Sequence, residues 1–375
     1  MNPSENADRS IGLPPALPFW LSLSLVPAVV WAAISGGWAL VLPPLAAWGL
    51  FAVLDSFLGT DTHNADPLST AKALFWHDLI LRVWPPVQFA TLFWLIWYQG
   101  QAEHLATGEK LSLFFGAGIL SGTVGIVYAH ELMHRHAKRD RWLADLLMAS
   151  VLYSHFRSEH LLVHHVHVGT PRDAVTARYN EGFHRFFPRA LLGTPRSAFV
   201  AEATRLQRAG KPAWHRSNPF WRYGVLSFAF AGLSIWLGGW AGFGLFAFQA
   251  LVAVWQLELV NYVEHYGLSR QKMASGKYEP VQPHHSWNAS QRASNWLLIN
   301  LQRHSDHHAK PARPFPLLQS HGETVAPQLP YGYPVMTFVA MIPPLWRRMM
   351  NPRVRAWRRR HYPQVADWAL DRNAA

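Results

Sequence analysis

The stretch NLQRHSDHHAKP, residues 300–311, places His304, His307 and His308 within five positions. Their i, i+3 and i+4 spacing puts them on one face of a helix. Two other stretches repeat the pattern. In AHELMHRH (129–136), His130 and His134 are four apart. In SEHLLVHHVHVGTPRDA (158–174), His160 and His164 are four apart, and His165 adds a neighbouring direction. Leu161, Leu162 and Val163 give that helix an apolar side. A fourth stretch, ELVNYVEHYGLSR (258–270), offers His265 beside Glu264. The clusters and His265 together supply nine imidazoles. A zinc ion takes four ligands, or three and a water, so nine donors exceed one ion and suit two. Imidazole binds Zn, Cu, Fe and Ni alike, and spacing does not choose among them. Asp306 points to a different helix face and is expected to accept the second N–H of a ligating imidazole.

The elements that carry these residues follow from composition. Half the chain is hydrophobic and 15% is charged, against roughly 25% in an average soluble protein. The 19 Trp, 21 Phe and 11 Tyr suit aromatic belts at two membrane interfaces. Spanning a bilayer takes about 20 mostly apolar residues. Six stretches approach this: 16–36, 38–54, 80–98, 111–129, 222–239 and 241–261. Pro85 and Pro86 interrupt the third and blur its start, with Asp78 and Arg82 expected near the interface. SGGW and GGWAG are short enough to make helical hairpins of the first and last pairs. The expected fold is all-α: a single polytopic domain over 1–375, with a six-helix membrane bundle and a helical cap holding the histidines. The cap comprises 130–221 and 262–355, followed by a basic tail at 356–375.

Charge supports one orientation. Of 34 Lys and Arg, 15 fall in 130–223 and 15 in 262–375, while the short turns of the opposite side hold only Lys110. The positive-inside rule then puts both termini and every histidine cluster in the cytoplasm. The net charge of +12 reads as topology, not nucleic-acid binding. RRMMNPRVRAWRRRHY is expected to be solvated or to face lipid headgroups. The polar start, MNPSENADRSIG, does not resemble a cleaved signal peptide. Cys is absent, which removes disulfides, Cys-based metal sites and thiol nucleophiles.

HELMHR, EHLLVHH with GTPRDA, NYVEHYGL, QPHHSWN and LQRHSDHHA make the chain resemble the integral-membrane non-haem di-iron alkane 1-monooxygenases. These are grouped with membrane fatty-acid desaturases and xylene monooxygenase. DSFLGTDTHN (55–64) and LPYGYPVMTFVAMIPPLWRRMMNPRV extend the match over about residues 55 to 355. The resemblance implies two irons held by His130, His134, His160, His164, His165, His265, His304, His307 and His308. It implies O2-dependent terminal hydroxylation of n-alkanes in the bacterial inner membrane. Electrons would come from rubredoxin and its reductase. Without cysteine the chain cannot carry a fused rubredoxin, so the donor must be a separate protein. Where relatives read A-T-P-E-D this chain has GTPRD, so Arg172 replaces an acid.

Glu131, Glu159, Asp173, Glu264 and Asp306 are the carboxylates placed to orient ligands. Glu258, inside an apolar span, is functional by default. His284 and His285 are expected to support the site, not to ligate. His136, His155 and His167 are expected outside it. Three rivals remain: hydroxylation of aromatic methyl groups or acyl-chain desaturation, a zinc protease built on H-E-x-x-H, and a metal transporter.

Overall fold

The computed structural model describes residues 11–366 and Trp368. Residues 1–10, most of the polar start, and the tail's last residues lie outside that range. Among the described residues, five helices are long and apolar enough to cross a membrane. They are α1 (Leu13–Ser35), α2 (Gly37–Leu58), α3 (Phe75–Tyr98), α4 (Thr107–Met133) and a 46-residue helix (Phe220–His265). The last holds the expected pair of spans, joined end to end through the turn. It breaks at Gly239, where φ is 62° and ψ is −162°. Only glycine adopts that conformation without strain.

The break reverses the chain. Ser227 Oγ lies 3.4 Å from Ser154 Oγ, and Gln249 donates to the Ser150 carbonyl at 2.8 Å. A straight helix would separate residues 227 and 249 by about 33 Å. The helix is therefore two limbs, α5 (220–238) and α6 (240–265).

α3 starts at Phe75, five residues before the expected boundary, and runs through Pro85 and Pro86. Proline disfavours helix in the residue before it. Here Ile80, Leu81 and Trp84 are buried against neighbours, and packing overrides the local preference. Asp78 and Arg82 on this helix pair with Arg135 at 3.1 Å and Asp140 at 3.0 Å. Those ion pairs clamp the chain where α4 ends.

α4 is the central helix: every residue from 116 to 133 is buried. Such all-round burial explains its apolar sequence without a polar face. α4 and α6 approach closely because Gly118 faces α6. A Cβ at Gly118 would lie 2.6 Å from Val252 Cβ and 2.7 Å from the Gln249 carbonyl oxygen.

The remaining chain forms helices beyond the ends of α4 and α6. They are α7 (Lys138–Ala149), α8 (156–167), α9 (Phe183–Arg208), α10 (Arg292–Leu297), α11 (His304–Ala309), α12 (Tyr333–Ala340) and α13 (Pro343–His361). No strand occurs among the described residues, only three isolated bridges. Asp145 is buried in α7 and binds Arg157 at 2.8 Å and Arg222 at 3.0 Å. It thereby ties α7 to α8 and to the start of α5.

Gly118→Leu should push α4 from α6. Overpacking of this kind costs about 1–3 kcal/mol. We expect a lowered melting temperature in detergent, whereas Gly244→Ala, with open space around its Cβ, should leave it unchanged.

Candidate metal centre

The histidines gather into two groups. His130, His134, His160 and His307 form one; His164, His265, His304 and His308 form the other. Within each group the ligand atoms lie within 4.8 Å of one another. His130 and His134 leave the end of α4, and His265 ends α6, so membrane helices deliver three ligands directly. α8 gives His160 to the first group and His164 to the second. α11 gives His307 to the first, and His304 and His308 to the second.

His165 stands between the groups. Its ring centre lies 5.0 Å from that of His134, 4.9 Å from His307 and 4.7 Å from His308. An α-helix would turn residue 165 well away from residue 160. The chain avoids this with a π turn over His160–His164, in which the His165 N–H bonds the His160 carbonyl. The i→i+5 closure brings the two rings onto one side, with their Nε2 atoms 2.9 Å apart.

The donor set fits metal ions. Nε2 atoms are 3.0 Å apart for His134 and His160, 3.1 Å for His265 and His304, and 3.0 Å for His304 and His308. His304 Nε2 thus meets two other ring nitrogens, and so does His160 Nε2. Ligands at about 2.0–2.1 Å from one ion would be spaced in this way. Asp173 accepts from His164 Nδ1 at 2.9 Å. That fixes the His164 tautomer and leaves Nε2, buried and without a hydrogen-bond partner, for the ion. His307 Nε2 is buried and unpartnered too.

Burial, reinforced by neighbouring imidazoles, holds His160, His165, His304, His307 and His308 well below the ordinary histidine pKa. Burial first and His164 second bring His134 down to about 4. These rings are neutral at pH 7, the form a metal requires. No carboxylate belongs to either group.

The six carboxylates divide. Asp173 binds His164, and Glu264 Oε1 lies 3.2 Å from His304 Nδ1. The other four do not meet a ligand ring. Asp306 is the clearest correction. It sits about 200° around α11 from His304, at about 100° per residue. Its carboxylate is engaged by Arg313 at 2.5 Å, the Gln319 N–H at 3.0 Å and His321 at 3.3 Å. Glu131 pairs with Arg135 at 2.6 Å, and Glu258 accepts from Tyr153 and Asn261. Glu159 is buried with neither oxygen hydrogen-bonded. Burial, with Asp173 and Glu258 nearby, raises its pKa well above the usual range.

Among the other histidines, His284 and His285 join Glu279 in a separate cluster. His155 faces Thr194, His136 is exposed and His167 is half-buried. Arg172 is exposed, so the change from an acid leaves buried Asp173 undisturbed. Spacing gave no hint of Tyr333, whose hydroxyl donates to Glu264 at 2.9 Å. Asn261 and Thr337, beside the histidines in one cavity, were equally silent.

Residues 110–340, which contain all nine histidines, match the model of the fatty acid desaturase family. The chain is 38% identical over 346 residues to alkane 1-monooxygenase 1 of Pseudomonas aeruginosa, covering 90% of each protein. It belongs to the alkane 1-monooxygenases. Alkane 1-monooxygenase 2 of Alcanivorax borkumensis is 36% identical, over 91% of this chain and 90% of the relative. The hydroxylase component of a Pseudomonas putida xylene/toluene monooxygenase is more distant, 32% identical over 64% of each chain. The absence of cysteine is no obstacle to a metal site here, since every candidate donor in the two groups is a ring nitrogen.

Asp173→Ala should lower metal affinity about 10–100-fold, as loss of a carboxylate behind a ligating histidine does. Metal content after dialysis against a chelator measures this. His265→Ala should lose metal outright, and Asp306→Asn should retain it.

Proposed function

We propose that this chain hydroxylates the terminal carbon of n-alkanes to 1-alkanols, with O2 as co-substrate and two histidine-bound irons as cofactor. The supporting observation is an apolar cavity reaching both histidine groups. Ala47, Trp48, Gly122 and Thr123 form one end; His130, His160 and His304 line the other. Between them lie Ile126, Val127, Leu259, Val260 and Leu301. The cavity holds about 770 Å³ of space unfilled by atoms, its mouth included. From Gly122 to His130 it follows α4 for about 12 Å.

An alkane offers no hydrogen-bonding group, so shape and apolar area must recognise it. The one amide at the far end is fully engaged. Gln256 Oε1 accepts from Thr123 at 2.8 Å and Trp48 at 3.2 Å, and Nε2 donates to the Gly118 and Ile119 carbonyls. It therefore presents nothing polar to a chain.

Irons bound by the two groups supply the oxidising power that an unactivated C–H bond requires. One oxygen atom enters the substrate and the other leaves as water, with two electrons and two protons consumed. The protein's part is to hold the imidazoles neutral, fix the His164 tautomer through Asp173 and keep water from the apolar end.

The reading extends to location. Six crossings, α1 to α4 and the two limbs α5 and α6, sit in the bacterial inner membrane with the histidine cap in the cytoplasm. An alkane dissolved in the bilayer enters from the apolar side. Electrons reach the aqueous side from a separate rubredoxin and its reductase.

Iron quantification with product analysis on octane, hexadecane and xylene tests the reading. Two irons per chain and O2-dependent primary alcohols are expected. A single zinc with no oxygenated product would overturn it, and xylene as the preferred substrate would redirect it. Thr123→Phe should fill the far end and disfavour hexadecane against octane by about tenfold, in the range one pocket contact supplies.

A further inference from the structure

Glu279, His284 and His285 have the composition of a third metal site. Their hydrogen bonds say otherwise. The Gln282 N–H donates to His285 Nδ1 at 2.9 Å, so His285 Nε2 keeps its proton. That nitrogen faces the Tyr362 oxygen at 2.7 Å, and His284 Nε2 faces it at 2.8 Å. The Tyr362 hydroxyl donates to Glu279 Oε1 at 2.6 Å. A phenol that accepts two N–H bonds and donates one is fully used. The cluster is a rigid hub.

This hub holds half-buried rings together at the surface. The Trp357 indole donates to the His284 carbonyl at 2.9 Å. His361 stacks on His284 at 4.7 Å, and its ring centre is 4.3 Å from that of Trp357. Arg353 and Arg360 are exposed on the same face of α13, four before and three after Trp357, with Arg360 5.8 Å over the indole.

Two routes lead inward, and both end in the same histidine group. The Ser305 hydroxyl donates to the Pro283 carbonyl at 2.6 Å, and Ser305 follows His304 directly. The Trp287 N–H donates to the Glu264 carbonyl at 2.9 Å, next to His265. Electron tunnelling decays less steeply through covalent and hydrogen bonds than across van der Waals gaps. A bonded path therefore joins the half-buried surface rings to His304 and His265.

We propose that the Trp357–His361–His284 surface, framed by Arg353 and Arg360, is where a small acidic one-electron carrier protein docks and passes electrons to the His304 and His265 group. The proposal rests on the hydroxylase reading. Each docking oxidises one reduced carrier by one electron, and two dockings supply a turnover. A lipid surface fits less well. The apolar face of α13 is already spent, with Trp346 against Tyr262 and Tyr266 at 5.2 and 5.3 Å and Val354 against Gly267. Beyond Leu345 no large apolar side chain of this helix is exposed for insertion. A cationic face complements an acidic protein and speeds encounter.

The test uses full-length enzyme in nanodiscs and a purified, reduced bacterial rubredoxin as probe. Arg353→Glu with Arg360→Glu should weaken rubredoxin binding by calorimetry at least tenfold at low salt. It should slow stopped-flow rubredoxin oxidation equally and flatten its salt dependence. Dithionite-driven single-turnover alcohol yield should not change. Ser305→Ala should slow electron transfer at saturating rubredoxin without changing its KM, and Ser305→Thr should restore the rate. Unchanged binding and salt dependence in the double variant would overturn the proposal. So would a loss confined to binding of anionic phosphatidylglycerol vesicles. If wild-type enzyme oxidises rubredoxin yet forms no alcohol from alkane, docking stands and the hydroxylase reading falls.

Discussion

Nine imidazoles crowd a buried space, and His160, His165, His304, His307 and His308 are held there well below the ordinary histidine pKa. Removing a charge from water is costly, and adjacent imidazolium ions would repel at close range. The protein settles this by keeping the rings neutral, which is the state that binds metal. Other features of the cap follow from that choice. Carboxylates are kept out of both groups and act only from behind, as Asp173 does on His164. The charges that remain nearby are matched: Asp78 and Glu131 with Arg135, Asp140 with Arg82, Asp306 with Arg313.

The site also lies at a boundary between two kinds of reactant. One end of the cavity is closed by membrane helices, and the amide there, Gln256, is internally satisfied. The other side is covered by polar loops and an arginine-rich helix. On the proposed reading an oily substrate and a water-soluble reductant need never meet, because the histidine groups lie between the two approaches.

Much of the fold was legible because lipid-facing helices tolerate few polar residues. The spacing of His130 with His134, and of His304 with His307 and His308, shows which rings share a helix face. It does not show which rings share an ion. That grouping is set by how α8 and α11 cross, which is tertiary information. His165 was placed by a π turn that no local pattern announces, and Asp306 was misread because its nearest partners, Arg313 and Gln319, come from the following loop. Pro85 and Pro86 signalled a helix boundary that packing erased. Gly239 marked the α5–α6 turn in sequence, and the chain breaks and reverses there.

The sharing of α8 and α11 between both groups has a thermodynamic consequence. A first ion would have to order both helices, each of which also carries ligands for the second. The ordering cost then falls mainly on the first binding event, so the second ion binds more tightly. If each group holds an ion, loading is expected to be positively cooperative, favouring empty and doubly loaded molecules over half-loaded ones. On the two-iron reading proposed above, fewer molecules would then carry an incomplete centre.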